Sequence, residues 1–371
     1  MTDIEIGRAK RGRLTYGFDD IAIAPQRRTR DPEQVSTTWR IDAYAFDTPV
    51  IAAPMDSVVS PDTAAEINRL GALAVLNLEG LWTRHEDPLP VLANIAQCSP
   101  AEATAALQQA YSAPIQPALI RERVSQLRAG GGVVAAALSP QRTAELAKSV
   151  VDAGVDIFVI RGTTVSAEHV GVQETSLNLK KFIYELDVPV IVGGCATYQS
   201  ALHLMRTGAA GVLVGFGGGA AHTTRDVLGV RVPMASAVAD VAAARRDYLD
   251  ESGGRYVHVI ADGSMGRSGA IVKAIACGAD AVMVGSLLAR AEEAPGRGWH
   301  WGMEAVHPTL PRGERVHIGA AGTLEQILHG PSQVADGTMN IIGALKRAMA
   351  TAGYTELKEF QRVEVVVNPL A

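Results

Sequence analysis

Two short turns, Ala261-Asp262-Gly263-Ser264 and Val284-Gly285-Ser286, set small residues and hydroxyls directly after apolar runs. Glycine lets backbone amides approach an anion and serine adds a donor, so together the turns read as a phosphate cradle. Either turn alone is explained equally well by a tight chain reversal. A third run, from Gly215 through Gly217, Gly218 and Gly219 to His222-Thr223-Thr224-Arg225, carries a histidine in a glycine-rich loop. Imidazole can act as a nucleophile or activate water at neutral pH. No carboxylate near His222 in sequence is placed to orient it, however, so a solvent-facing or phosphate-touching histidine is the favoured role. Cys195, just after a strand-like run, is a second candidate nucleophile, weighed against the inert packing usual for a lone thiol there.

Eight short, nearly continuous apolar runs must position these groups: Val50 to Pro54, Leu73 to Leu78, Val133 to Leu138, Ile157 to Gly162, Pro189 to Gly194, Gly211 to Phe216, Val257 to Gly263 and Ala281 to Ser286. Runs without polar alternation indicate strands covered on both faces, and eight of them with helical crossovers close an α/β (β/α)8 TIM barrel. An open doubly wound sheet is disfavoured, because no Gly-rich turn opens the first strand-helix unit. The helix over 141–154 ends in Gly154 and feeds the next strand, and the same helix-Gly-strand phrase returns near Gly208 and Gly278. On this numbering the two Gly-Ser turns end strands seven and eight, where barrels bind phosphate.

The whole chain, 1–371, reads as one barrel domain with two excursions. Residues 79–132 are too long for one connection and predict extra helices at Pro100 to Ala110 and Ile120 to Ala129 after strand 2. Residues 294–340 form a flap-like excursion after strand 8, rich in Gly, Pro, His and Trp. Trp39, Trp82, Trp299 and Trp301 lie in loop-like contexts, where exposed aromatics often mark subunit contacts.

A formal charge of −5 and pI near 6.0 leave no basic footprint for nucleic acid. Arg8, Lys10, Arg11 and Arg13 are not followed by an apolar signal core, and no run approaches a membrane span, so the expectation is a cytosolic (cytoplasmic) protein. Cys98, Cys195 and Cys277 are far apart and lack metal-ligand spacing.

The loop ending in His222-Thr223-Thr224-Arg225 resembles the catalytic loop of the IMP dehydrogenase/GMP reductase family, G-I-G-P-G-S-x-C-T-T-R, with His222 at the cysteine. Residues 257–286 are similar to the family's A-D-G-G-I-x-x-S-G-D-x-x-K-A-L-A-x-G-A-D-x-V-M-x-G-S. Leu14 to Asp20 resembles L-T-F-D-D-V, Pro54 to Val58 resembles A-M-D-T-V, and Gly302-Met303 resembles the start of the base-reading G-M-G-S, from which Glu304-Ala305 departs. The resemblance runs from about Leu14 to Gly353, and the group most like this chain is the IMP-dehydrogenase-related proteins without CBS modules. The 79–132 segment stands where other members carry a CBS pair, which some fifty residues cannot hold.

The resemblance implies that Met55 packs on a purine, that Asp262 holds ribose hydroxyls, and that Gly263, Ser264, Gly285 and Ser286 take the phosphate of a purine nucleoside monophosphate (IMP, XMP or GMP). It also implies NAD(P) as cofactor, a homotetramer, and a monovalent cation such as K+ on backbone carbonyls of the loop holding Gly217, Gly219 and His222. Three departures cluster on the cofactor side. His222 replaces the thiolate that attacks purine C2, Arg161 replaces an aspartate beside the nicotinamide, and Gly194, next to Cys195, replaces an asparagine. An arginine there opposes the positive ring of NAD+ unless it is solvated or paired. The expectation is a nucleotide-binding protein impaired in covalent hydride transfer, with regulation of a catalytic relative as one consequence. The alternative is a dehydrogenase or reductase of purine nucleotide metabolism working by a non-standard mechanism.

Overall fold

In the computed structural model, which describes residues 3–167, 177–216 and 218–368, eight parallel strands close into a barrel. They are β1 (Val50–Ala52), β2 (Leu73–Asn77), β3 (Ala135–Leu138), β4 (Ile157–Arg161), β5 (Val190–Cys195), β6 (Gly211–Val214), β7 (His258–Asp262) and β8 (Ala281–Val284). Each coincides with one of the eight apolar runs. Neighbours pair in sequence order and β8 returns to β1, with Val282, Met283 and Val284 opposite Val50, Ile51 and Ala52. Almost every strand residue is buried, because side chains fill the barrel on one face and meet helices on the other.

The crossover helices start and stop where local chemistry directs. Pro61–Arg69 opens on a Ser60 and Thr63 capping box with proline at its first position. Pro140–Asp152 ends just before Gly154, whose φ of +91° reverses the chain into β4.

Three helices fill 79–132 rather than two: Leu89–Gln97, Ala103–Ala110 and Pro117–Ala129. The first escapes sequence reading because Pro90 looks like a breaker, yet at the second helical position its missing N–H costs nothing.

The excursion after β8 is pinned to the barrel mouth. Trp299–His300 pairs with Val316–His317, the Thr223 amide donates to the Arg312 carbonyl at 2.9 Å, and the Glu314 amide donates to the Ala221 carbonyl at 2.9 Å.

The tryptophans are not exposed, contrary to the sequence expectation. Trp39 stacks on Phe46 at 5.3 Å, Trp82 is buried, Trp301 is 1% exposed, and half-buried Trp299 lies under the Arg315 guanidinium at 3.9 Å. Each packs against a neighbour inside the chain, and none stands fully exposed. No helix among the described residues is long and apolar enough to cross a membrane.

The opposite, N-terminal end of the barrel is closed by Asp280, which is 2% exposed. Its carboxylate accepts from Arg245 at 2.8 Å, from the Tyr256 hydroxyl at 2.8 Å and from the Val259 amide at 2.9 Å. Removing one partner of a buried pair strands the other charge. Asp280→Ala is therefore expected to lower the unfolding free energy by about 3 to 5 kcal/mol in chemical denaturation. A loss under about 1 kcal/mol would show Arg245 to be solvated instead.

Candidate functional site

The C-terminal ends of the strands enclose a cleft of about 280 Å³. β7 and β8 deliver Asp262, Gly263, Ser264, Gly285 and Ser286 to it, the loop after β1 delivers Met55, and β4 ends in Arg161. Gly219 and His222 line the same cleft, while Gly217 lies outside the described residues. Gly302 adjoins it: a Cβ there would meet Glu304 Oε2 at 2.8 Å and Met55 Cε at 3.2 Å. Met303 lines a neighbouring cleft of about 400 Å³, which shares Arg161, Gly162, Thr163 and Glu304 with the first.

Other candidates stand behind the cleft. Thr224 is buried under His222, and Thr223 is held through its backbone to Arg312. Gly194 lines neither cleft; a Cβ on it would come within 2.4 Å of the Gly215 carbonyl, so no side chain fits. Cys195 does not point into the cleft, which corrects its candidacy as a nucleophile. It is the last residue of β5, its thiol donates to the Leu213 carbonyl at 3.4 Å, and burial pushes it up to about 12. A thiol this hard to ionise packs rather than attacks.

His222 does have a carboxylate, contrary to the sequence reading. Its Nε2 lies 3.3 Å from Glu304 Oε2, and its Nδ1 lies 3.1 Å from Thr224 Oγ1. Both ring nitrogens are occupied, with Nε2–H aimed at an acceptor, which leaves no lone pair facing the cleft for a nucleophile or base. Glu304 arrives from the excursion 82 positions along the chain, and Thr163 Oγ1 donates to its other oxygen at 3.5 Å. Burial would raise its pKa, but His222 and Arg161 together hold it below the ordinary carboxylate range. The one sequence signal was that Glu304 breaks the G-M-G-S pattern.

Arg161 is likewise paired. Its Nε donates to Asp262 Oδ2 at 3.0 Å, and although burial acts to lower its pKa, Asp262 and Glu304 raise it above the usual arginine value. Its charge is thus balanced within the wall of the cleft, which removes the premise of an uncompensated cation facing a nicotinamide.

Of the three carbonyls expected to hold a monovalent cation, those of Gly217, Gly219 and His222, Gly219's accepts a hydrogen bond within the loop and Gly217 lies outside the described residues. The Gly218 carbonyl accepts both the Ser264 amide at 3.0 Å and its hydroxyl at 3.1 Å, and the Gly219 carbonyl accepts the His222 amide at 3.1 Å. Among the described residues no group of three or more His, Cys, Asp and Glu side chains could hold a metal ion.

Beneath Met55, buried Asp56 accepts from the Tyr111 hydroxyl at 2.5 Å, and Tyr111 accepts from Trp301 Nε1 at 2.9 Å. This chain ties the helical insertion, the loop after β1 and the excursion into one support. Burial raises Asp56 from its ordinary 3.8 to about 6 despite these bonds. A raised carboxyl pKa means that the ionised form is penalised in the fold. The penalty grows as pH rises from about 4 to 6 and is complete above that. Asp56→Asn is therefore expected to gain stability relative to the parent across that window, on the order of 2 kcal/mol at pH 8. A stability difference independent of pH in denaturant titrations at pH 4.5 and 8 would rule this out.

Residues 15–306 match the family model described as the IMP dehydrogenase / GMP reductase domain. An uncharacterised oxidoreductase of Mycolicibacterium smegmatis is 51% identical over 373 residues, spanning 98% of this chain and 100% of that protein. Inosine-5'-monophosphate dehydrogenase of Aquifex aeolicus is 32% identical over 271 residues, which cover 66% of this chain and 50% of that enzyme. The crystal structure of an IMP dehydrogenase/GMP reductase-like protein from Corynebacterium glutamicum superposes with a TM-score of 0.94 at 52% identity, covering 99% of this chain and 98% of that one.

Proposed function

Since the chain belongs to the IMP dehydrogenase/GMP reductase family, we propose that its cleft binds a purine nucleoside 5'-monophosphate while the family's thiolate chemistry is closed to it. The observation that carries this reading is that one cleft joins Met55, Asp262 and both Gly-Ser turns to the His222–Glu304 pair. The phosphate meets glycine amides and serine hydroxyls at the ends of β7 and β8, the place where barrels bind anions. Asp262 accepts from ribose hydroxyls, and Met55 packs on the base. Where a covalent adduct would form, the chain offers an imidazole whose two nitrogens are already bonded.

A second reading, turnover with NAD(P) by a non-covalent route, is favoured by one observation: Arg161 is neutralised by Asp262 and Glu304. The adjoining cleft is large enough for a nicotinamide ring, and Arg161, Thr163, Glu304 and Met303 would border it. When bound, the cofactor would supply the hydride acceptor or donor. The assembly expected from the family resemblance, a homotetramer, stays part of the proposal without support from the tryptophans.

Calorimetry with IMP, XMP and GMP, beside turnover assays with IMP and NAD+ and with GMP and NADPH, separates the readings: binding without turnover supports the first. Asp262→Asn should weaken IMP by about 2 to 4 kcal/mol through loss of charge-assisted hydrogen bonds. Unchanged affinity would remove Asp262 from the ribose. His222→Cys alone should form at most a slow adduct with a halogenated purine nucleotide, since Glu304 would face the new thiol and oppose its ionisation. Sustained NADH formation from IMP by that variant would show that the thiol was the only part missing.

A further inference from the structure

His300, which no sequence motif singles out, stands at the proposed phosphate turn. It is 2% exposed, and its ring lies against Gly285: a Cβ at that position would sit 3.2 Å from Cε1 and 3.5 Å from Nε2. Its Nδ1 is 3.1 Å from Ser57 Oγ, which donates its own proton to the Trp301 carbonyl at 3.4 Å. With Ser57 donating to the Trp301 carbonyl, the ring tautomer that completes this chain has its hydrogen on Nδ1, given to Ser57, and a lone pair on Nε2. Among the described residues no protein group bonds Nε2, and the ring borders the cleft alongside Gly285 and Ser286.

The oxygens of a phosphate dianion also offer only lone pairs, so with this tautomer two acceptors meet at the turn and a proton joins them. We propose that nucleotide binding is proton-linked through His300: seating a phosphate dianion at Gly285 and Ser286 draws one proton from solvent onto Nε2, and the resulting imidazolium donates to the phosphate. No bond other than that N–H forms or breaks. The inference rests on the nucleotide reading above and adds its pH dependence.

Without ligand, burial and the facing His222 push His300 down to about 4, so the ring is neutral at physiological pH. The other charged groups of the cleft are committed elsewhere. Arg161 pairs with Asp262 at 3.0 Å, and Glu304 faces His222 at 3.3 Å. Arg315, just before the strand paired with His300, lies over the Trp299 ring, and His317 on that strand meets the same ring edge-on at 4.7 Å. The loop after β1 brings Met55 and Ser57 to the ring and carries Asp56 between them, whose carboxylate accepts from Tyr111 and Asn77, and Arg290, beyond Ser286, lies in the field of Asp336. The phosphate is thus the negative charge that recruits the proton.

The test is calorimetry of IMP binding near pH 7.5 in two buffers of different ionisation enthalpy, with inosine as the phosphate-free control. Close to one proton should be taken up with IMP and none with inosine, and IMP affinity should rise on lowering the pH from 8.5 to 6.5, approaching about tenfold per unit. His300→Gln should abolish that uptake and flatten the rise, since the phosphate's own titration near pH 6 is common to both proteins. Long-range 1H–15N spectra of histidine-labelled parent protein should show a neutral Nδ1–H ring alone and a doubly protonated ring with IMP. IMP binding without proton uptake, with uptake unchanged in His300→Gln, or with a ring that stays neutral, overturns the proposal and leaves the nucleotide reading standing. Failure of the parent to bind IMP overturns both.

Discussion

A buried carboxylate in the mouth of the barrel organises everything around it. Glu304 is nearly sealed from solvent, and an unpaired charge there would cost several kcal/mol or force protonation. Its position is therefore inseparable from that of the groups that face it. His222 meets one oxygen, Thr163 the other, and Arg161 adds its field while holding Asp262. Three separate segments meet at this one charge, the end of β4, the glycine-rich loop after β6 and the excursion after β8, and the end of β7 joins them through the Arg161–Asp262 pair. Backbone hydrogen bonds between Ala221, Thr223, Arg312 and Glu314 then lock excursion to loop.

The barrel makes that convergence possible because its strand ends come unusually close. A Cβ at Gly215 would fall 1.7 Å from the Asp262 carbonyl, so β6 and β7 can terminate side by side only with glycine there. The support beneath is polar as well. The Trp301 to Tyr111 to Asp56 chain fixes the floor under Met55 from the helical insertion, which gives that segment a positioning role independent of any regulatory module.

What the sequence made legible follows from locality. Strands buried on both faces become continuous apolar runs, so all eight could be read directly, and the turns after β7 and β8 followed from their numbering. The helix over Leu89–Gln97 was hidden because a proline near its start mimics a breaker. The tryptophans were misjudged because loop context does not report burial, and Trp301 is covered by an insertion distant in the chain. Above all, the partners of His222 and Arg161 could not be seen. Glu304 lies 82 residues beyond one, and Asp262 lies 101 residues beyond the other. Only the fold brings them into contact.

Those pairings change what the departures from the family pattern mean. Read singly, an arginine in place of an aspartate and a histidine in place of a cysteine look like damage. Read as a set, they conserve charge: Arg161 and His222 bring positive or protonatable groups, and Glu304 and Asp262 bring the matching carboxylates. A thiolate at position 222 beside Glu304 would place two anions a few ångströms apart in a low-dielectric wall, each raising the other's pKa. The carboxylate at 304 and a reactive thiolate at 222 are thus mutually exclusive solutions. This chain has the former, and His222 and Arg161 together favour the ionised form of Glu304 inside the barrel.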